Sequence, residues 1–151
     1  MNLTITDLQP RHLERMAQLE QLCFADPWGR EALEFEITCD YSHWAVAEAD
    51  GQVVGYAGSH LIMDEADILN VACDPALRRR GIGRAVLTAL LEQLTVLGAR
   101  SVTLEVREGN TPARGLYESL GFAQAGRRPG YYEKPREDAL ILRRALGEEA
   151  I

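Results

Sequence analysis

Arg78-Arg79-Arg80-Gly81-Ile82-Gly83-Arg84 is a set of residues suited to holding a diphosphate. Gly81 and Gly83 carry no side chain to keep a phosphate off the backbone. Ala85, Val86, Leu87, Leu90, Leu91 and Leu94 follow at helical spacing. The spacing predicts a turn at a helix N-terminus, where unpaired N–H groups and the helix dipole favour an anion. Arg78, Arg79, Arg80 and Arg84 add positive charge. Two familiar phosphate loops do not fit. A Walker loop needs Lys-Ser or Lys-Thr after its last glycine, and Gly83 is followed by Arg84-Ala85. A dinucleotide fingerprint needs a small closing residue, and that position is Val86. What remains is Arg78-x-x-Gly81-x-Gly83. Alone, it reads equally well as a basic helix start on a solvated face.

The elements that must position this turn follow from local signals. Thr4 to Asp7 alternates weakly as a strand, and Pro10 opens a helical pattern with Leu13, Met16, Ala17 and Leu19–Cys23 on its inner stripe. Asp26-Pro27-Trp28-Gly29 breaks it before a short helix near Arg30–Ile37. His43–Ala49 alternates, with Trp44, Val46 and Glu48 on one face. Asp50-Gly51 predicts a two-residue hairpin turn. Val53–Ile62 and Ala66–Cys73 complete a meander that Asp74-Pro75 ends. A four-turn helix runs to Leu97, with Gly98 after its end. Ser101–Arg107 is a strand with Val102, Leu104 and Val106 on one face and Glu105 on the other. Thr111 and Pro112 start a helix, as N-cap and N1, and Gly121 stops it. Phe122–Arg127 and Leu140–Arg144 read as closing strands, with Gly126–Asp138 a long, mobile loop between them. The order is β-α-α-β-β-β-α-β-α-β-β. That order implies an α/β (α+β) fold, a mixed, mostly antiparallel sheet of about seven strands with helices on both faces. The strands near Ile68 and Leu104 are expected to be parallel neighbours.

At 151 residues the chain is expected to form one domain spanning 1–151. It is 46% hydrophobic and 26% charged, which is ordinary globular composition. No apolar run approaches a membrane span and no leader pattern is visible. Cys23, Cys39 and Cys73 are odd in number and share no paired spacing, which points to reduced thiols in a cytoplasm. His12, His43 and His60 form no ligand pair, so no metal is expected. A net charge of −7 argues against direct nucleic-acid binding and is compatible with a cationic protein or peptide substrate.

The order of elements and the Arg-x-x-Gly-x-Gly turn resemble the GCN5-related N-acetyltransferases (GNAT), whose pyrophosphate loop binds acetyl-coenzyme A. Asn70-Val71-Ala72-Cys73-Asp74-Pro75, Leu104-Glu105-Val106-Arg107 with Asn110, and Leu116-Tyr117-Glu118-Ser119-Leu120-Gly121-Phe122 resemble the RimI-type ribosomal-protein-alanine branch of that family. Phe24-Ala25-Asp26-Pro27-Trp28, Tyr131-Tyr132 and Arg136-Glu137-Asp138-Ala139 extend the resemblance over roughly residues 24 to 142.

The resemblance implies that Val71, Ala72 and Cys73 lie on a strand opening away from its neighbour. Their backbone groups would pair with the pantetheine arm, and one N–H there would hold the developing oxyanion. Arg78, Arg79, Arg80, Gly81, Ile82, Gly83 and Arg84 would hold the pyrophosphate, and Asn110 the pantetheine amides; a capping role for Asn110 would look the same. Glu105 would be the general base and Tyr117 the general acid to the departing thiolate. Trp28, Tyr131 and Tyr132 would flank the acceptor. For each, a packing role is the competing reading, and Cys73 reads as an inert apolar residue. The implied activity is transfer of acetyl from acetyl-coenzyme A to a protein α-amine, the N-terminal alanine of a small-subunit ribosomal protein, in a ternary complex. Two alternatives stay open: acetylation of a small amine or lysine side chain, and a non-catalytic acyl-coenzyme A-binding module.

Overall fold

The computed structural model describes residues 1–147. Its elements run β1 (Thr4–Thr6), α1 (Leu13–Cys23), α2 (Arg30–Ile37), β2 (Ser42–Ala49), β3 (Gln52–Ile62), β4 (Glu65–Cys73), α3 (Ile82–Val96), β5 (Ser101–Arg107), α4 (Thr111–Ser119), β6 (Ala123–Tyr132) and β7 (Glu137–Ala145). Short 3-10 turns at Pro10–His12 and Pro75–Leu77 lead into α1 and out of β4. The strands form one seven-stranded sheet in the order β1-β2-β3-β4-β5-β7-β6. Among the described strands only β4 and β5 pair in parallel, as the crossover through α3 requires. The Asp50-Gly51 turn between β2 and β3 takes φ of 52° and 77°, the left-handed pair a tight hairpin needs. Among the described residues no helix is long and apolar enough to cross a membrane.

Both faces of the sheet are covered. Ala45, Ala47 and Val54 face α3, whose Ile82, Val86, Leu87, Leu90, Leu91 and Leu94 are buried. Each such side chain contributes about 1.5–3 kcal/mol of transfer free energy. Trp44, Val46 and Tyr56 face the other way, against Leu13, Met16 and Leu19 of α1 and Leu33 of α2. The helix carrying the phosphate turn sits flush on the sheet because Gly55 lacks a side chain: a Cβ there would lie 2.5 Å from Ile82 Cγ2.

Two local expectations are corrected. The segment Gly126–Asp138 is not a long loop, since β6 and β7 pair through most of it and meet again at Tyr132↔Glu137. Irregular register between Gln124 and Gly126 and between Arg128 and Tyr132 absorbs Ala125 and Pro129, and β6 is an edge strand, where proline is tolerated. Arg127 holds the hairpin to Glu108 and Asp138, and Asp138 Oδ1 accepts the Gly130 N–H at 2.8 Å. Asn110, not Thr111, is the N-cap of α4; its Oδ1 accepts the Ala113 N–H at 3.3 Å.

Candidate active site

Parallel pairing of β4 with β5 covers only Glu65↔Ser101, Ala66↔Val102 and Asp67↔Thr103. Beyond Asp67 the two strands part, because β4 stays paired to β3 as far as Cys73 and β5 stays paired to β7 as far as Arg107. A cleft of about 700 Å³ opens where they separate. Ile68–Val71 and Leu104–Arg107 line its two strand walls. Asn110, Ala113 and Tyr117 close it from α4, Tyr131–Lys134 from the β6–β7 hairpin, and Cys23–Asp26 from the end of α1.

The backbone of β4 is poised toward this gap. Asp74 donates its N–H to the Val54 carbonyl on β3, at 2.8 Å. Alternation along the strand turns the Ala72 N–H the same way, and the Val71 and Cys73 N–H groups into the gap. Ala72 instead packs its methyl into the α1 side of the core.

The glycine turn lies at the start of α3, as the spacing predicts. Gly81 is the N-cap with φ 80°, and a Cβ there would meet nothing within 4 Å. The first N–H groups of α3, from Ile82 to Arg84, have no intrahelical carbonyl to reach, while Ala85 N–H already bonds Gly81 O at 2.9 Å. Arg78, Arg79 and Arg80 are exposed around the turn. Arg84 is tied to Ser119 Oγ of α4 at 2.7 Å, which links the two helices beside the cleft. The turn itself does not line the 700 Å³ cavity. These residues suit a polyphosphate: open backbone donors, surrounding cations and no side chain in the way.

Glu105 and Tyr117 both line the cleft. Glu105 is on the sheet face opposite buried Val102, Leu104 and Val106. Its Oε2 is buried and has no hydrogen bond among the described residues, although Arg128 Nε lies 3.1 Å away, out of line for one. Arg128 also stands over the Tyr131 ring, 5.7 Å from its centroid. Tyr117 is 8% exposed and packs edge-on against Phe122. Burial, with a smaller contribution from Tyr132, pushes its phenol up to about 12. Tyr132 lines the cleft with them. Burial and then the Glu105 charge raise its phenol to about 12 as well, and Arg107 covers its ring at 4.5 Å. Both phenols are therefore held protonated at neutral pH.

Trp28 does not line the cavity. Its ring packs edge-on against Trp44, and its backbone N–H is donated to Glu20 Oε1 at 2.8 Å. Phe24, Ala25 and Asp26, just before it, form the wall instead. Glu20 was invisible as a site residue: in sequence it is one polar position on an amphipathic helix. In the fold it is fully buried, accepting from Tyr56 Oη at 2.5 Å and from Asn70 Nδ2 at 3.1 and 3.2 Å. Desolvation raises its carboxyl above the ordinary range, against the lowering effect of those hydrogen bonds. Spacing also gave no hint that Glu36, Cys39 and His60 meet away from the cleft, with candidate ligand atoms within 4.8 Å of one another. Glu36 Oε1 there already contacts His60 Nε2 at 2.5 Å and accepts from Ser42 Oγ.

Residues 13–122 match the model of the acetyltransferase (GNAT) family. The chain belongs to that family. It is 36% identical over 141 residues to the ribosomal protein bS18-alanine N-acetyltransferase of Escherichia coli, covering 92% of this chain and 95% of that one. The crystal structure of the Escherichia coli ribosomal-protein-S18-alanine N-acetyltransferase superposes with a TM-score of 0.89 at 34% identity, covering 97% of each chain. That of Ard1 from Thermoplasma volcanium gives 0.86 at 28% identity, covering 97% and 99%. The GNAT fold expected from the order of elements is thus observed, with seven strands and four α-helices.

Proposed function

We propose that this protein acetylates the α-amine of a polypeptide beginning with alanine, the N-terminus of a ribosomal protein of the bS18 type, using acetyl-coenzyme A. The observation that carries this reading is the convergence of Glu105 and Tyr117 on one cleft, at the point where β4 and β5 part. The 36% identity to an enzyme named for that acceptor supports it.

Acetyl-coenzyme A supplies an activated acyl carbon and a thiol leaving group. The Gly81–Arg84 turn and the arginines beside it hold the pyrophosphate. Val71 and Cys73 offer N–H groups to the pantetheine arm and to the thioester oxygen as charge develops there. Asn110 keeps its side-chain N–H₂ for the arm while its oxygen caps α4. Glu105 takes the proton from the attacking amine, directly or through one water. Arg128 already places a cation beside that carboxylate, as an incoming ammonium would be. An α-amine has a pKa of about 8, so roughly a tenth is neutral at pH 7, whereas a lysine near 10.4 is almost wholly protonated. Modest base assistance suffices for the first. Tyr117 donates its O–H to the departing sulfur. Tyr131 and Tyr132 wall the acceptor side.

Coenzyme A release with peptides differing only in their first residue tests this reading. Alanine-first peptides are expected to be the best acceptors. Equal rates for all first residues, or turnover only with free small amines, contradict it.

Replacing Gly81 by Val tests the phosphate turn. A β-branched residue at φ 80° is strained by about 1–3 kcal/mol, so calorimetry should show a melting point lower by several degrees. Acetyl-coenzyme A affinity should fall by roughly tenfold to a hundredfold, the scale of one lost charge-assisted hydrogen bond. A folded variant with unchanged affinity removes the turn from the binding site.

A further inference from the structure

Glu20 is a fully buried carboxylate that the proposed chemistry does not use. Such a group is retained only if its hydrogen bonds repay its desolvation. Its partners are the Trp28 N–H, Tyr56 Oη and Asn70 Nδ2. Asn70 lines the cleft and Glu20 does not. The Asn70 amide gives its N–H₂ to both Glu20 oxygens, at 3.2 and 3.1 Å, so its carbonyl oxygen lies away from Glu20. Among the described residues nothing donates to Asn70 Oδ1, and that oxygen is not a buried, unpartnered atom. A pre-oriented acceptor is therefore open to the cleft. Asn70 bonds Glu20 of α1, so it projects to the α1 side of the sheet. Glu105 lies opposite the α3-facing residues of β5, on that same α1 side.

We propose that Asn70 Oδ1 receives the first peptide N–H of the acceptor, and that Glu20 is the positioning residue that locks it for that purpose. This rests on the α-amine reading above and adds the basis of its selectivity. In a polypeptide N-terminus an amide N–H lies only one Cα and one carbonyl beyond the amine. A lysine ε-amine is followed by four methylenes and has no donor at that reach. An acceptor oxygen in the same cleft and on the same sheet face as the base thus rewards α-amines and is left unpaired by side-chain amines. The same carboxylate holds the Trp28 N–H, so the wall formed by Phe24–Asp26 and the Asn70 amide are set by one group.

The test compares an alanine-first peptide with the same peptide N-methylated at its second residue, on wild type, Asn70→Leu and Glu20→Gln. In Glu20→Gln an amide N–H₂ replaces one acceptor oxygen, which frees the Asn70 amide to turn over. With the unmodified peptide, both variants should raise KM about tenfold, with kcat, acetyl-coenzyme A affinity and the acid limb of the pH profile near wild type. N-methylation should cost wild type a similar factor and cost Asn70→Leu little further, because the bond is already absent. The peptide comparison stands even if one variant is poorly stable. An equal N-methyl penalty in wild type and Asn70→Leu overturns the proposal, as does an unchanged KM in Asn70→Leu. A loss confined to kcat in Glu20→Gln overturns its positioning role. Wild-type turnover of the unmodified peptide is the control for the underlying reading. If wild type leaves that peptide unacetylated, both fall.

Discussion

Glu105→Gln is expected to acetylate an alanine-first peptide roughly two to four orders of magnitude more slowly than wild type at neutral pH, the usual worth of a positioned base. The substitution keeps shape and volume. It also leaves the turn at the start of α3 untouched, so acetyl-coenzyme A affinity should stay near wild type. The loss should shrink as pH rises toward the amine's own pKa of about 8, where free amine no longer depends on an acceptor for its proton. Rates of both proteins across neutral to alkaline pH check this. Wild-type turnover by the variant at neutral pH rules Glu105 out as base.

Tyr117→Phe is expected to lose about tenfold to a hundredfold in kcat. The structure decides the size. Burial pushes this phenol up to about 12, well above a coenzyme thiol, which is about 8.5 judged from cysteine. Full proton transfer to the departing thiolate is therefore uphill. The phenol stabilises the sulfur chiefly as a hydrogen-bond donor, and a bond to a charged group is worth about 1.5–3 kcal/mol, or one to two decades of rate. With the phenol titrating near 12, Tyr117 should impose no alkaline limb within an ordinary assay range. The apolar packing against Phe122 survives the substitution, so the melting point should change little. Steady-state kinetics check this account. Unchanged kcat removes Tyr117 from the chemistry, and an alkaline limb that disappears with the hydroxyl contradicts a phenol held so high.

What the sequence made legible were features written locally. The stripe from Val86 to Leu94, the left-handed Asp50-Gly51 pair, the Arg-x-x-Gly-x-Gly turn and the alternation placing Glu105 opposite Val102, Leu104 and Val106 each fit within one window and were found where expected. The β6–β7 hairpin was not legible. Gly126-Arg127-Arg128-Pro129-Gly130 has no apolar alternation, and its order comes from pairing with β7 and from Arg127 bonded to Glu108 and Asp138. As a result Tyr131 and Tyr132 stand on a strand end, not on a mobile loop. The Glu20 network was illegible for a related reason. Its partners Tyr56 and Asn70 lie 36 and 50 residues away, and no helical period distinguishes a buried carboxylate from a solvated one. Trp28 shows the converse: a residue expected at the acceptor through resemblance packs on Trp44, while its neighbours form the wall.

The most direct test of the central claim is to localise the transferred group. Wild-type protein, acetyl-coenzyme A and an alanine-first peptide carrying an internal lysine are incubated at neutral pH, and the product is sequenced by tandem mass spectrometry. The account predicts a single acetyl group on the alanine α-amine, with the lysine unmodified and one coenzyme A released per peptide. Acetyl found on the lysine ε-amine while the N-terminus stays free contradicts it.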